Sequence, residues 1–96
     1  MFFNKKKNKI KNRLIDRIAI YCVTCGLKES FEGNYIFCSS ELALVFKVSI
    51  KIIKDNIKQI VDSIEKYDSV SDVEVYDDCI DINFYTDYLL NDSENW

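Results

Sequence analysis

The chain has 96 residues, 13 Lys plus Arg against 16 Asp plus Glu, two Gly, and neither His nor Pro. That length suits one domain with a modest core, and 48% apolar with 14% aromatic residues excludes a disordered chain. Without His there is no Ser-His or Cys-His pair and no imidazole ligand. No glycine-rich phosphate loop is present either, so the sequence points to no enzyme, no cofactor and no metal.

The formal net charge of −3 hides its layout. Residues 1–17 carry seven cations and one acid, residues 18–66 six charges of each sign, and residues 67–96 nine acids and no base. The pattern is a basic arm, a neutral middle and an acidic end. Eleven Lys to two Arg, with thirteen Ile and eight Asn, fit an AT-rich coding sequence of the kind carried by low-GC bacteria, their plasmids and their phages.

In chain order, residues 1–12 have no apolar periodicity beyond Phe2, Phe3 and Ile10, and read as a flexible basic arm. The uncharged run Ile18–Val23 is too short for the core of a signal peptide, and no stretch reaches the ~20 apolar residues of a membrane span. A cytoplasmic protein is expected. From Arg13, Leu14, Ile18, Cys22 and Cys25 recur at helical spacing, and Gly26 stands where a C-cap would. Ile20, Tyr21 and Val23 make this helix apolar nearly all round, so it is buried inside the domain or against a second copy. A homodimer is expected on that basis.

Leu27–Asn34 reads as a loop and Tyr35–Cys38 as a short strand. Ser40 can cap a helix over Glu41–Phe46, and Ser49 a longer one from Ile50 to about Lys66 with a core stripe of Ile53, Ile57, Ile60 and Ile64. The period then drops to two. Val73 and Val75, then Ile80, Ile82 and Phe84, alternate with polar residues around Asp77-Asp78, a two-residue hairpin turn. That register sets Val75 against Ile80, Val73 against Ile82, and Glu74 against Asp81, a like-charge pair. Residues 87–96 form an acidic tail whose Tyr88, Leu89 and Leu90 can dock on a domain spanning 13–86.

Four cysteines (Cys22, Cys25, Cys38 and Cys79) admit a zinc site, disulfides or packed thiols. Cys22 and Cys25 fall within a helical pattern rather than on a tight turn, and Cys79 belongs to a hairpin tip, so spacing favours free thiols packed as small hydrophobes.

Helix, short strand, helix, helix, strand, strand is the order of an α+β winged helix-turn-helix, the last hairpin being the wing. Residues 41–49, Glu-Leu-Ala-Leu-Val-Phe-Lys-Val-Ser, resemble the E-L-A-x-x-[hydrophobic]-x-V-S segment of winged-helix DNA-binding proteins. In that resemblance Ala43 is small where the two helices cross, Phe46 and Val48 fill their angle, and Ser49 caps the second helix. Lys47 departs from the glycine favoured in the turn and would be strained if left-handed. The wing tip, commonly basic, is Asp77-Asp78 between Glu74 and Asp81, which reads as a solvated strand edge or a surface for a basic protein.

The resemblance implies a binder of double-stranded DNA. Ser49, Lys51, Lys54 and Lys58 on the recognition helix would face the major groove. Lys5, Lys6, Lys7, Lys9, Lys11, Asn12, Arg13 and Arg17 would hold phosphates or an adjoining groove. Arm and helix lysines are expected to face DNA and the acidic end to point away. Size, composition and element order are similar to those of the TcpK-like relaxosome components of clostridial conjugative plasmids. That likeness implies marking of an origin of transfer and recruitment of a relaxase or coupling protein. A small transcriptional regulator, or an inhibitor or adaptor using the same scaffold, are the alternatives.

Overall fold

The structure, a computed structural model, describes residues 2–30 and 32–89, with side chains described from Arg13 onward. Four α-helices and a three-stranded antiparallel sheet form the described domain: α1 (Phe2–Glu29), β1 (Asn34–Cys38), α2 (Ser39–Phe46), α3 (Ile50–Asp55), α4 (Ile57–Ile64), β2 (Val70–Tyr76) and β3 (Cys79–Phe84). A 3-10 turn over Thr86–Tyr88 follows. The sheet order is β1-β3-β2, so the last strand inserts between the first and the second. This is an α+β fold.

The hairpin has the expected register: Val75 pairs with Ile80, Val73 with Ile82 and Glu74 with Asp81. Asp77 and Asp78 both take positive φ, 52° and 61°, the primed geometry that matches strand twist in a two-residue turn. On β3 the alternation decides the faces. Ile80, Ile82 and Phe84 are buried, joined by their register partners Phe37 and Tyr35 from β1. Asp81 and Asn83 look the other way with Ile36 and Glu74. Val75 shares the inner face yet is exposed, on the edge strand β2, while its partner Ile80 on the central strand is fully buried.

Those helices complete the core. Ile15, Ile18, Ala19 and Cys22 of α1 are buried together with Leu42, Ile53, Ile60 and Ile64. The apolar run of α1 is therefore covered mainly by its own chain. Ile18, Ala19, Cys22 and Val23 are buried, and Ile20 alone is well exposed. Leu89 is buried as expected of a docking tail, Tyr88 is exposed, and Leu90 lies outside the described residues.

Four local expectations change. Helix α1 begins at Phe2, ahead of Arg13, and runs past Gly26 to Glu29. Gly26 is not a cap but a gap: a Cβ there would lie 2.4 Å from the Phe84 ring. Gly33 is the glycine with left-handed backbone, φ 87°, and its N–H donates to Ser30 Oγ at 2.8 Å. Helix α2 starts at Ser39 after Cys38, so Ser40 lies inside it rather than capping it.

The fourth change is a break in the helix expected over residues 50–66. Asn56 (φ −115°, ψ 13°) ends α3 and precedes α4. Its side-chain Nδ2 donates to Ile52 O at 2.8 Å, the carbonyl its own N–H would use in a continuous helix, and that N–H moves to Ile53 O at 3.2 Å. The side chain competes with the backbone and wins. The core stripe survives: Ile53, Ile60 and Ile64 stay fully buried and Ile57 packs against them.

Between α2 and α3 the chain turns at Lys47, whose φ of 56° and ψ of 44° are left-handed. Val48 N–H closes the turn on Ala43 O at 3.0 Å. A Cβ at such a position costs about 1 kcal/mol that glycine avoids. Lys47→Gly is therefore expected to raise the melting temperature by about 4–8 °C, read by thermal denaturation. A lower melting temperature would show that the Lys47 side chain contributes more than its backbone costs.

Candidate nucleic-acid interface

The candidate surface is built on α2, the turn at 47–49 and α3. Ser49 occupies the N-cap of α3 as expected, with extended backbone, and its Oγ accepts the Ile52 N–H at 3.4 Å. This satisfies one of the free amides of the first turn. With Ile53 fully buried beneath it, α3 exposes Ile50, Lys51, Ile52 and Lys54.

Both α3 lysines carry an acid partner. Lys51 Nζ is 2.7 Å from Asp55 Oδ2 one turn on, with Lys51 80% exposed. Lys54 Nζ is 3.3 Å from Asp78 Oδ2 at the hairpin tip. The acidic hairpin therefore does not point away from the lysine face; its turn lies against it. Pairs this exposed are weak and yield readily to a stronger anion. The break at Asn56 also moves Lys58 onto α4, so the three lysines are not one helical face. Lys58 is exposed, with no carboxylate within 4.0 Å among the described residues.

Arg13 and Arg17 are exposed on α1. Arg17 lines an open groove of about 670 Å³ between α1 and α2, with Ile20, Tyr21, Phe46 and Lys47 among its walls. Lys47 also borders a shallower depression with Leu44, Val48 and Ile50. It stands between the two, a cation on this surface that sequence reasoning treated only as an unfavourable turn residue. The side chains of Lys5, Lys6, Lys7, Lys9, Lys11 and Asn12 lie outside the described residues.

On the outer face of the sheet, Asp81 faces the like charge of Glu74 but turns to other partners. Its carboxylate accepts hydrogen bonds from the Tyr76 hydroxyl and from Asn34 Nδ2. Asn34 Nδ2 also donates to Asn83 Oδ1 at 3.0 Å. The bond to Asp81, with further contributions from burial and the negative charges of Asp81 and Glu74, pushes the Tyr76 phenol up to about 12.

Three of the four cysteines fall into two settings. Cys22 is fully buried in α1, and desolvation pushes its thiol far up, which makes it inert. Cys38 and Cys79 instead face each other across β1 and β3, with Sγ atoms 2.7 Å apart. Among the described residues no group of three Cys, Asp or Glu side chains gathers as a metal site, and no helix is long and apolar enough to cross a membrane. The arrangement offers cations on α3, the 47–49 turn and α1 for an anionic polymer. Comparison with protein-family models, with curated proteins and with solved structures finds no match to this chain.

Proposed function

We propose that the protein is a winged helix-turn-helix that binds double-stranded DNA without catalysis, α3 entering the major groove. The observation that carries this reading is the join of α2 to α3 through the 47–49 turn, with Ser49 capping α3. That join leaves Ser49, Lys51 and Lys54 outward. On this reading the phosphates displace Asp55 and Asp78 from the lysines, and Lys58, Lys47, Arg13 and Arg17 add backbone contacts. Lys5, Lys6, Lys7, Lys9, Lys11 and Asn12 anchor an adjoining stretch of duplex. Ile20 and Val45, exposed on the walls of the α1–α2 groove, offer an aliphatic surface suited to a second copy. The composition and the likeness noted above make the role that of an origin-of-transfer accessory factor on a mobile element, with a relaxase or coupling protein as its partner.

A second reading has its own support. Leu44 is 80% exposed and Val45 46% on the outward side of α2, an apolar face that suits a protein partner better than phosphates. There the domain would be an adaptor or inhibitor scaffold.

A salt titration of binding to random-sequence duplex, read by fluorescence anisotropy, separates the two. DNA binding gives measurable affinity at low salt and a linear fall of log K with log salt. The triple change Lys51→Ala, Lys54→Ala, Lys58→Ala is expected to flatten that slope by about 2.7, at roughly 0.9 per phosphate contact. No affinity at low salt would favour the adaptor reading. An unchanged slope in the triple variant would move the interface away from α3.

A further inference from the structure

We propose that Cys38 and Cys79 form a reversible thiol–disulfide site that takes a low-molecular-weight disulfide as its oxidant and, when closed, clamps the hairpin tip to the start of α2.

Cys38 and Cys79 are direct partners at the end of the β1–β3 ladder. The Ser39 N–H donates to Asp78 O at 3.1 Å, and at the other end Phe84 N–H donates to Gly33 O. Those two bonds flank the outermost partners rather than joining them. Cys38 and Cys79 are thus a non-hydrogen-bonded antiparallel pair. Cα atoms of such pairs lie about 4.5 Å apart with side chains drawn together, inside the roughly 4.4–6.8 Å that a disulfide spans. The two Sγ atoms are already in contact at 2.7 Å, both as free thiols. Closing the bond requires the two sulfurs to approach from 2.7 Å to about 2.05 Å.

Access and chemistry agree. Alternation places both cysteines on the sheet face turned away from the helices, and both are half-buried rather than sealed. Cys22, by contrast, is fully buried. The Cys79 thiol donates to the Cys38 sulfur. That bond, ahead of the desolvation and the charges of Cys38, Asp77 and Asp78, pushes Cys79 up to about 11. Cys79 therefore holds its proton, and Cys38 carries the accepting sulfur. With oxidised glutathione, Cys38 loses its proton to solvent and its sulfur attacks one glutathione sulfur, expelling a glutathione thiolate. Cys79 then loses its proton to solvent and attacks the Cys38 sulfur of the mixed disulfide, expelling the second glutathione. Two protein thiols are oxidised, one glutathione disulfide is reduced to two thiols, and two protons pass to the leaving thiolates.

The bond would fasten two functional parts. Cys38 immediately precedes α2, and its N–H is held by Glu41 Oε1 at 3.3 Å. Cys79 follows the Asp77-Asp78 turn that touches Lys54. A covalent link here fixes the hairpin tip relative to the start of α2 and closes a loop spanning residues 38–79.

The test uses the whole chain equilibrated in glutathione buffers of increasing oxidised fraction, quenched by alkylation under denaturing conditions and mapped by mass spectrometry. A Cys38–Cys79 linked peptide, with Cys22 and Cys25 alkylated, is expected in the oxidised protein. The melting temperature should rise on the order of 10 °C and return on adding dithiothreitol. Cys79→Ser should instead accumulate a glutathione adduct on Cys38. Any other pairing, glutathione adducts persisting on the wild-type chain, or thiols still free in a large excess of oxidised glutathione would overturn the proposal. A linked peptide without a rise in melting temperature would overturn the clamp. None of these readouts depends on DNA.

Discussion

Gly26→Ala is expected to destabilise the domain by about 1–3 kcal/mol, the usual result of forcing a methyl group into a filled core. The added Cβ would stand 2.4 Å and 2.5 Å from two atoms of the Phe84 ring. That ring is buried, 5% exposed, and its own N–H is tied to Gly33 O. Neither side can step aside freely: Gly26 is inside α1, and Phe84 ends the central strand. The melting temperature should fall by roughly 4–24 °C, given about 4–8 °C per kcal/mol for a domain of this size. Phe84→Leu in the same chain should return part of the loss, since a smaller side chain vacates the space. A double-mutant cycle by thermal or urea denaturation measures that coupling directly. If Gly26→Ala melts with the wild type, α1 does not pack on the end of β3 as described.

The second large effect concerns charge. Asp78→Asn and Asp55→Asn together are expected to tighten binding to random duplex at low salt by at least tenfold, an order-of-magnitude figure for two carboxylates removed beside phosphates. Asp78 sits 3.3 Å from Lys54, and Asp55 2.7 Å from Lys51. On the proposed reading each acid competes with DNA for the same ammonium group. Both pairs are exposed, so their loss should change stability by no more than about 1 kcal/mol. The gain should shrink as salt rises. The adaptor reading expects no binding to random duplex from either form of the protein. Weakened or unchanged DNA binding in the double variant would remove α3 and the hairpin tip from the interface.

How far the sequence carried these conclusions depends on the range of the interactions involved. The register from Val73 to Ile82 was legible, because alternation and Asp77-Asp78 specify it within about a dozen positions. The start of β2 at Val70 and the irregularity between Val70 and Asp72 fall where a turn over residues 67–71 was expected. Ser49 was legible because a cap acts on an amide only three residues away. The break at Asn56 was not, since helical periodicity continues through Ile53, Ile57 and Ile60 while one amide side chain reroutes the backbone bond. Gly26 looked like a stop because nothing near it in sequence reveals Phe84 overhead.

The candidate surface divides in the same way. Lys51 and Lys54 could be placed on one face by spacing, but their acid partners include Asp78, reachable only once the hairpin folds back on α3. The pairing of Cys38 with Cys79 rests on β3 lying between β1 and β2, a strand order that no local pattern encodes.

The interruption at Asn56 has a further consequence, in how much sequence one chain can read. Helix α3 is six residues long, about 9 Å at ~1.5 Å per residue. Along a duplex rising roughly 3.4 Å per base pair, that is a window of about three base pairs. A word that short recurs constantly in any genome. Selectivity on the proposed reading must therefore accumulate by repetition, from a second copy one helical turn away or from the basic N-terminal residues in an adjoining groove, and a cognate site should contain short spaced half-sites in place of one long element.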